Sequence, residues 1–169
     1  MTQIRDAGPG DVEAITALSN ALIPTTTYEW TETLHTADDR RAWLAAKARA
    51  GMPVLVADDG GDVVGWAGYG DFRDTARWPG YRFTVEHTVY VRDDHQGRGV
   101  GRRLVEALVE RARADGKRVM VAAIDGSNVD SVRFHQRLGF AEVGRLPGVG
   151  EKFGRRLDLV LMQRDLTGA

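Results

Sequence analysis

Residues 89–103, VYVRDDHQGRGVGRR, decide the fold of this chain, because they lead from a strand into a helix through a turn that contains three glycines. Before the turn, apolar and polar residues alternate over 82–92, which predicts a long strand. After it, apolar residues recur at helical spacing over 104–112, with charged residues on the opposite face, which predicts an amphipathic helix. The motif therefore indicates a strand–loop–helix unit in the middle of the chain.

The glycine cluster at 97–101 admits several interpretations. A dinucleotide-binding fingerprint requires G-x-G-x-x-G, but Arg102 occupies the sixth position, and the Gly-Lys-Ser/Thr sequence of a P-loop is absent. A third interpretation is a helix start whose free backbone N–H groups and dipole hold a pyrophosphate. The remaining alternative is a turn without a ligand. Because each glycine weakens a helix by about 1 kcal/mol relative to alanine, we favour ligand binding.

Periodicity and turn residues predict the elements on either side of this unit. Helices are expected after Asp11, after the capping box at 36–39 and over 128–138. The remaining strands are expected at 3–6, 53–57, 63–69, 119–124, 141–146 and 152–163. The run at 119–124 is apolar without alternation, so we expect both of its faces to be covered. The order predicts an α/β (α+β) fold, a mixed central sheet of about seven strands with helices on both faces.

Composition limits the possible functions. The 169 residues are enough for one domain over 1–169, and the absence of cysteine excludes disulfides, thiolate zinc sites and a cysteine nucleophile. Four histidines without helical i,i+4 spacing give no reason to expect a metal. The net charge of −1 gives no reason to expect nucleic acid or a membrane as partner. The first six residues lack the apolar stretch of a signal peptide, so a cytoplasmic location is expected.

Two motifs resemble the signature of the GNAT acetyltransferase superfamily: Q-x-x-G-x-G at 96–101, and N-x-x-S-x-x-x-H-x-x-x-G-F at 128–140. Further stretches are similar to phosphinothricin or methionine sulfoximine N-acetyltransferases, at 84–91, 119–124, 152–155 and 157–159. The resemblance covers essentially the whole chain. It implies a GNAT fold, acetyl-CoA as co-substrate, direct transfer to the α-amino group of a small amino acid or analogue in a ternary complex, and a homodimer.

The resemblance also implies which residues form the site. Val89, Tyr90 and Val91 would align the pantetheine arm along a strand edge, and Asn128 would contact the cofactor near a second strand. The pyrophosphate would be held by the turn and helix start, at Gly97, Arg98, Gly99, Val100, Gly101 and Arg102. The substrate side would consist of Arg73, Glu86, His87 and Thr88.

Acetyl transfer requires a neutral amine, and since an α-amino group titrates near pH ~8 or above, a base would help. Glu86 is the best candidate. It lies in a strand of apolar and β-branched residues, where a carboxylate is costly unless it is paired or functional. By alternation it shares a face with Thr84 and Thr88. The alternative is an ion pair with Arg82 or another surface cation.

His135 occupies a position, four residues before the Gly-Phe pair, where many GNAT enzymes have tyrosine. It could protonate the leaving thiolate, relay a proton or shape the pocket, although a lone helical histidine is more often structural. His87 falls on the apolar face of its strand, so we interpret it first as a packed histidine.

The sequence departs from these relatives at Ser19, at Arg156 and in a longer loop at 74–80, which bears on the substrate more than on acetyl transfer. Two alternative functions remain open. One is a GNAT enzyme acting on a peptide N-terminus or another amine, and the other is a non-catalytic acyl-CoA-binding module, against which Glu86 and His135 weigh.

Overall fold

The computed structural model describes residues 2–168, in which seven strands and four α-helices follow one another along the chain. The strands are β1 (Gln3–Asp6), β2 (Val54–Asp59), β3 (Asp62–Asp71), β4 (Thr84–Val91), β5 (Val119–Asp125), β6 (Ala141–Lys152) and β7 (Arg155–Asp165). The helices are α1 (Val12–Asn20), α2 (Ala37–Arg49), α3 (Val100–Ala114) and α4 (Val129–Arg137).

All seven strands form one sheet in the order β1-β2-β3-β4-β5-β7-β6. Every neighbouring pair is antiparallel except β4 and β5, which are parallel. One apolar cluster packs α3 against one face of the sheet, and a second packs α1 and α2 against the other. The prediction of a mixed seven-stranded sheet with helices on both faces is confirmed.

The parallel pair opens into a split. β4 and β5 pair at only three positions, the last of which joins Glu86 to Val121, and from His87 and Ala122 onward the two strands separate. On their outer sides, β4 stays paired with β3 as far as Val91, and β5 stays paired with β7 as far as Asp125. Each strand therefore keeps one supported edge and turns the other toward the split.

Helix α3 forms where the apolar periodicity predicted it. Its five predicted core residues, Leu104, Val105, Leu108, Val109 and Ala112, are all buried. They remove apolar surface from water against the centre of the sheet, which fixes the start of the helix beside the split.

Three expectations are wrong. The last strand was predicted over 152–163 but runs over Arg155–Asp165, because Phe153 and Gly154 have φ values of 53° and 68° and form the turn after Lys152. β6 was predicted over 141–146 but continues to Lys152, because an edge strand tolerates Pro147 at a register shift between Leu146 and Gly150, where the missing N–H is not required. Ala123 was expected to be covered but is exposed, because it lines the split.

Between residues 2 and 168, no helix combines the length and apolar character needed to cross a bilayer.

Candidate active site

The split contains a cavity of about 150 Å³ that reaches through the sheet. The two strands contribute Thr88, Val89 and Tyr90 on one side and Ala122, Ala123 and Asp125 on the other. The cavity is closed below by α4, through Asn128, Ser131 and His135, and above by the segment after α1, through Leu22, Tyr28 and Glu29. Seven of the fifteen site residues predicted from the sequence therefore line one cavity: Glu86, His87, Thr88, Val89, Tyr90, Asn128 and His135.

The glycine turn lies at the start of α3. Gly97 and Gly99 have φ values of +72° and +81°, a region that side chains other than glycine rarely adopt. Gly99 is the N-cap and has no side chain to cap the helix, and the first helical bond runs from the N–H of Arg103 to its carbonyl. The N–H groups of the first turn thus lack helical partners, as a pyrophosphate site requires.

Gly101 allows this helix start to approach its neighbours closely. A Cβ atom there would lie 3.3 Å from the ring of Phe134 in α4 and 3.4 Å from Val91. Arg98 and Arg102 are exposed beside the turn, and the Nε of Arg102 donates to Glu106 at 2.8 Å. Since an exposed ion pair is weak, both cations can turn toward an anion.

The backbone of Tyr90 lines the split, while its side chain points to the face of the sheet that packs against α1 and α2. Its ring stacks on Trp66, with 4.9 Å between the ring centroids, and its hydroxyl donates to the carboxylate of Glu29. Burial, together with the Glu29 charge, raises the pKa of Tyr90. This bond attaches the segment after α1 to β4.

Glu86 lies where the split begins and borders a second pocket of about 430 Å³ on the α2 side of the sheet. It shares this face with Thr88, as alternation predicted. Burial raises the pKa of Glu86, and the charge of Arg73 acts against that rise. Arg82, the alternative partner, instead donates to the carbonyl of Pro79 at 3.1 Å and lies over the ring of Phe83.

Two glycines open the floor of the second pocket. Gly68 and Gly70 lie on the same face of β3, directly opposite Thr88 and Glu86 of β4. A Cβ at Gly70 would approach the Nζ of Lys47 to 2.7 Å, so a side chain there would displace that ammonium.

The walls of the second pocket carry aromatic rings and two cations. Trp43 and Trp66 meet edge to face, with 5.5 Å between their ring centroids. Lys47 donates to the carbonyl of Tyr69 at 2.9 Å, and burial lowers its pKa. Arg73 is exposed at the rim. Asp71 and Glu86 line the same pocket, so it can hold a small zwitterionic molecule with an apolar part.

His87 and His135 form a buried pair on the other face. Their Nε2 atoms are 3.1 Å apart, and the Nδ1 of His135 lies 2.7 Å from the carbonyl of Ser131. Because that carbonyl only accepts, Nδ1 of His135 carries the proton, so its Nε2 accepts from the Nε2–H of His87. The His87 Nδ1 has no hydrogen-bond partner within residues 2–168.

Burial keeps both histidines of this pair neutral. It lowers the pKa of His135, and it lowers the pKa of His87 to about 3, with the neighbouring His135 adding to the effect. His87 also packs against Phe140, with 5.3 Å between the ring centroids. It thus faces away from Glu86 and Thr88, with which the resemblance grouped it, and is packed on the apolar face as alternation predicted.

Asn128 lies at the split as the N-cap of α4. Its side-chain oxygen accepts from the N–H of Ser131 at 3.1 Å.

The described part of the chain brings no three His, Asp or Glu side chains together in a group able to hold a metal ion.

Sequence reasoning missed Glu29, Lys47 and Asp125 as site residues. None of the three lies in a motif, and each reaches the site only through tertiary packing. One signal was available for the second pocket. Two glycines at i and i+2, Gly68 in the predicted strand at 63–69 and Gly70 directly after it, indicate a strand face left free for close approach.

Known proteins are similar to this chain in sequence and in structure. The acetyltransferase (GNAT) family model matches residues 15–140. The chain is 52% identical over 164 residues to an L-methionine sulfoximine/L-methionine sulfone acetyltransferase of Pseudomonas paraeruginosa, covering 96% of this chain and 94% of that protein.

Two solved structures are closely similar. A GNAT superfamily phosphinothricin acetyltransferase from Sinorhizobium meliloti, in complex with acetyl-CoA, gives a TM-score of 0.90 at 34% identity over 97% of this chain and 88% of that one. A ribosomal-protein-alanine N-acetyltransferase from Brucella melitensis gives a TM-score of 0.92 at 42% identity, over 96% and 99%.

Proposed function

The chain belongs to the GNAT family of acetyltransferases, and from this premise we propose that it transfers the acetyl group of acetyl-CoA to the α-amino group of a small amino acid analogue of the methionine sulfoximine or phosphinothricin type. One observation carries the proposal. Glu86 and Thr88 border both the split and the second pocket, so a thioester in the split and an amine in the pocket would meet at Glu86.

In this proposal the split holds acetyl-CoA. The free edge at Val89, Tyr90 and Val91 lies along the pantetheine arm, and Asn128 contacts it from α4. The uncapped start of α3, from Gly97 to Arg102, binds the pyrophosphate through backbone N–H groups, with Arg98 and Arg102 adding positive charge. Within this geometry acetyl-CoA supplies a thioester carbonyl with a thiolate leaving group.

The second pocket holds the amine substrate. Arg73 and Lys47 attract its carboxylate and the oxygens of its sulfoximine, sulfone or phosphinate group, while Trp43 and Trp66 contact its apolar carbons. A zwitterionic amino acid analogue fits this lining of two cations and two carboxylates, Asp71 and Glu86, better than a polyamine, which the two cations would repel.

The reaction is a direct transfer in the ternary complex. Ionised Glu86 accepts a proton from the substrate ammonium, directly or through one water, and the freed amine attacks the thioester carbon. A backbone N–H near Val89 donates to the carbonyl oxygen as negative charge develops on it. The carbon–sulfur bond then breaks, and the proton that the attacking nitrogen still carries in excess passes to the leaving thiolate, directly or through water, giving the amide and CoA thiol.

His135 shapes the base of the split in this mechanism. Its Nε2 accepts from His87, so no Nε2 proton is available for the leaving thiolate. A thiol with a pKa of about 8.5 leaves as a thiolate without a dedicated acid.

Release of CoA thiol by the purified protein tests the proposal, with methionine sulfoximine, methionine sulfone, phosphinothricin, glutamate, spermidine and a short peptide as amines. We expect turnover on the sulfoximine, sulfone or phosphinate. Glu86→Gln should reduce kcat about 10²- to 10⁴-fold, the range for loss of a general base. Glu110→Gln, an exposed change on α3, should leave it unchanged.

Two results would overturn the substrate assignment. Turnover only on the peptide would favour a GNAT enzyme that acts on a peptide N-terminus. The similarity to the ribosomal-protein-alanine N-acetyltransferase supports that alternative. Tight acetyl-CoA binding without turnover on any amine would favour a non-catalytic acyl-CoA-binding module.

We also propose a single domain over 1–169 that forms a homodimer. Support for the dimer comes from the edge strand β6, on which Val143, Leu146 and Val149 are 55%, 39% and 53% exposed. Sedimentation equilibrium would give a monomer mass if the dimer is wrong. A cytoplasmic location stays a prediction, which cell fractionation would check.

A further inference from the structure

The upper wall of the split is a segment without regular structure. After α1, residues 21–30 form turns and bends, and Leu22, Tyr28 and Glu29 line the cavity. Without a ladder of backbone hydrogen bonds, such a segment takes its position from contacts with the rest of the protein. Those contacts therefore decide where the wall stands.

Lys152, at the end of β6, makes the central contact. Its side chain is 2% exposed, and its Nζ donates to three backbone carbonyls of the segment: Ile23 at 2.7 Å, Thr26 at 2.8 Å and Glu29 at 2.7 Å. An ammonium has three protons, and all three are used here. This full set of partners offsets the cost of burying the charge.

The three carbonyls belong to residues spaced three positions apart, and the last of these residues, Glu29, lines the cavity. Tyr28 lies between Thr26 and Glu29, both of which Lys152 holds by the backbone. The Glu29 side chain accepts from the hydroxyl of Tyr90 in β4. Lys152 thus fixes the backbone of Glu29 while Tyr90 fixes its carboxylate, which connects β6 to β4 across the split.

The surrounding contacts bind the same segment to the same part of the fold. Gly150, two residues before Lys152, lies under the ring of Trp30, where a Cβ would clash with the ring carbons. The N–H of Phe153 donates to Glu32 at 3.2 Å. The end of the β6–β7 hairpin is therefore the support on which the wall rests.

We propose that Lys152 is a positioning residue for the amine substrate, acting through Tyr28 and Glu29. This inference rests on the proposed function, because it assigns the wall to the place where amine and thioester meet. Lys152 itself lies outside the cavity lining, so its effect is to hold the wall at the distance that the substrate requires. The pyrophosphate end of the site, at the start of α3, does not depend on it.

Lys152→Met removes the three donors while keeping an unbranched side chain. We expect the KM for the amine to rise about tenfold, the order expected when buried hydrogen bonds are lost, while the dissociation constant of CoA changes less than about twofold. Amide hydrogen exchange of the free protein should accelerate over 22–30 and stay unchanged in α3. The exchange result does not depend on which amine is the substrate, so it separates this inference from the proposed function.

Leu108→Ala is the matched control, because it opens a cavity under α3 without touching the wall. If Lys152→Met raises the amine KM no more than Leu108→Ala does, or if exchange over 22–30 stays slow, the proposal is wrong. Gly150→Ala covers the case in which Lys152→Met does not fold. It keeps Lys152 but displaces Trp30, and it should raise the amine KM with the same selectivity; an unchanged KM would overturn the proposal.

Discussion

At the scale of single residues, the charge state of Glu86 is set by two opposing influences. Partial burial raises its pKa, and the cation of Arg73 lowers it. A base must be ionised to accept a proton, so the rate should fall as the pH falls through this pKa. The position of the acid limb in a pH–rate profile therefore reports the balance between burial and Arg73.

Arg73→Ala should move the acid limb of kcat to higher pH. Without the cation, only the effect of burial remains, so the pKa of Glu86 rises and the base loses its charge at a pH where the unmodified protein still works. The measurement is kcat at saturating amine over roughly pH 5 to 9, the range in which a tuned carboxylate and an amine titrate. Saturation separates this effect from weaker substrate binding.

Arg77→Ala provides the comparison within the same loop. Its guanidinium is exposed and lies over the ring of Trp78, 5.4 Å from the ring centroid. The acid limb of the Arg77→Ala pH–rate profile should coincide with that of the unmodified protein. An Arg73→Ala profile that also coincides, or an equal shift in both variants, would rule out the assigned role of Arg73.

At the scale of elements, the start of α3 depends on glycines with positive φ. Gly99→Ala forces an alanine into the left-handed region, at about 1–2 kcal/mol, and shifts the N–H groups of the first turn. We expect the KM for acetyl-CoA to rise about tenfold, since backbone hydrogen bonds to an anion are individually strong.

Gly60→Ala is its control. Gly60 has a φ of +70° in the β2–β3 hairpin turn and, like Gly99, has nothing within 4 Å of the position of an added Cβ. The two variants should therefore lose similar stability in urea unfolding, but only Gly99→Ala should weaken acetyl-CoA binding. Equal KM values would mean that the turn does not bind the cofactor.

The elements that local sequence determines were predicted well. The apolar stripe of α3, the capping box at Thr36 and Asp39, and the two-glycine turn after Asp59 each depend on residues close together in the chain. Residues of the candidate site were predicted where a motif marks them, as at Gly99 and Asn128, or where a carboxylate interrupts an apolar strand, as at Glu86. The point at which β4 leaves β5, the second pocket and the partners of Lys152 depend on contacts between distant residues, which periodicity does not encode.

At the scale of the whole molecule, the neutral His87–His135 pair links stability to pH. In the unfolded chain a histidine takes up a proton near pH 6.5, whereas His87 in the fold does so only near pH 3. Between these values the unfolded state binds more protons, so the free energy of unfolding falls as the pH falls. For one proton the slope is up to about 1.4 kcal/mol per pH unit.

His87→Gln should flatten this dependence. The glutamine amide can still donate to Nε2 of His135 but does not titrate, so one proton is removed from the linkage. Urea unfolding of both proteins at several values between pH 4 and 7 gives the comparison, and carboxylates contribute equally to the two curves. Curves that stay parallel would show that His87 does not titrate on unfolding.

The contacts of Lys152 have a consequence for the order in which the protein is made. The ribosome synthesises the chain from its N-terminus. The carbonyl of Ile23 can therefore accept from Lys152 only after a further 129 residues have been added. Closing so long a loop is entropically costly, so this contact belongs among the slow, late events of folding. A nascent chain ending before β6 would carry every residue of the cofactor cleft yet lack the support for its upper wall. Competence for catalysis would therefore arrive with the last hairpin, after most of the sheet has already formed.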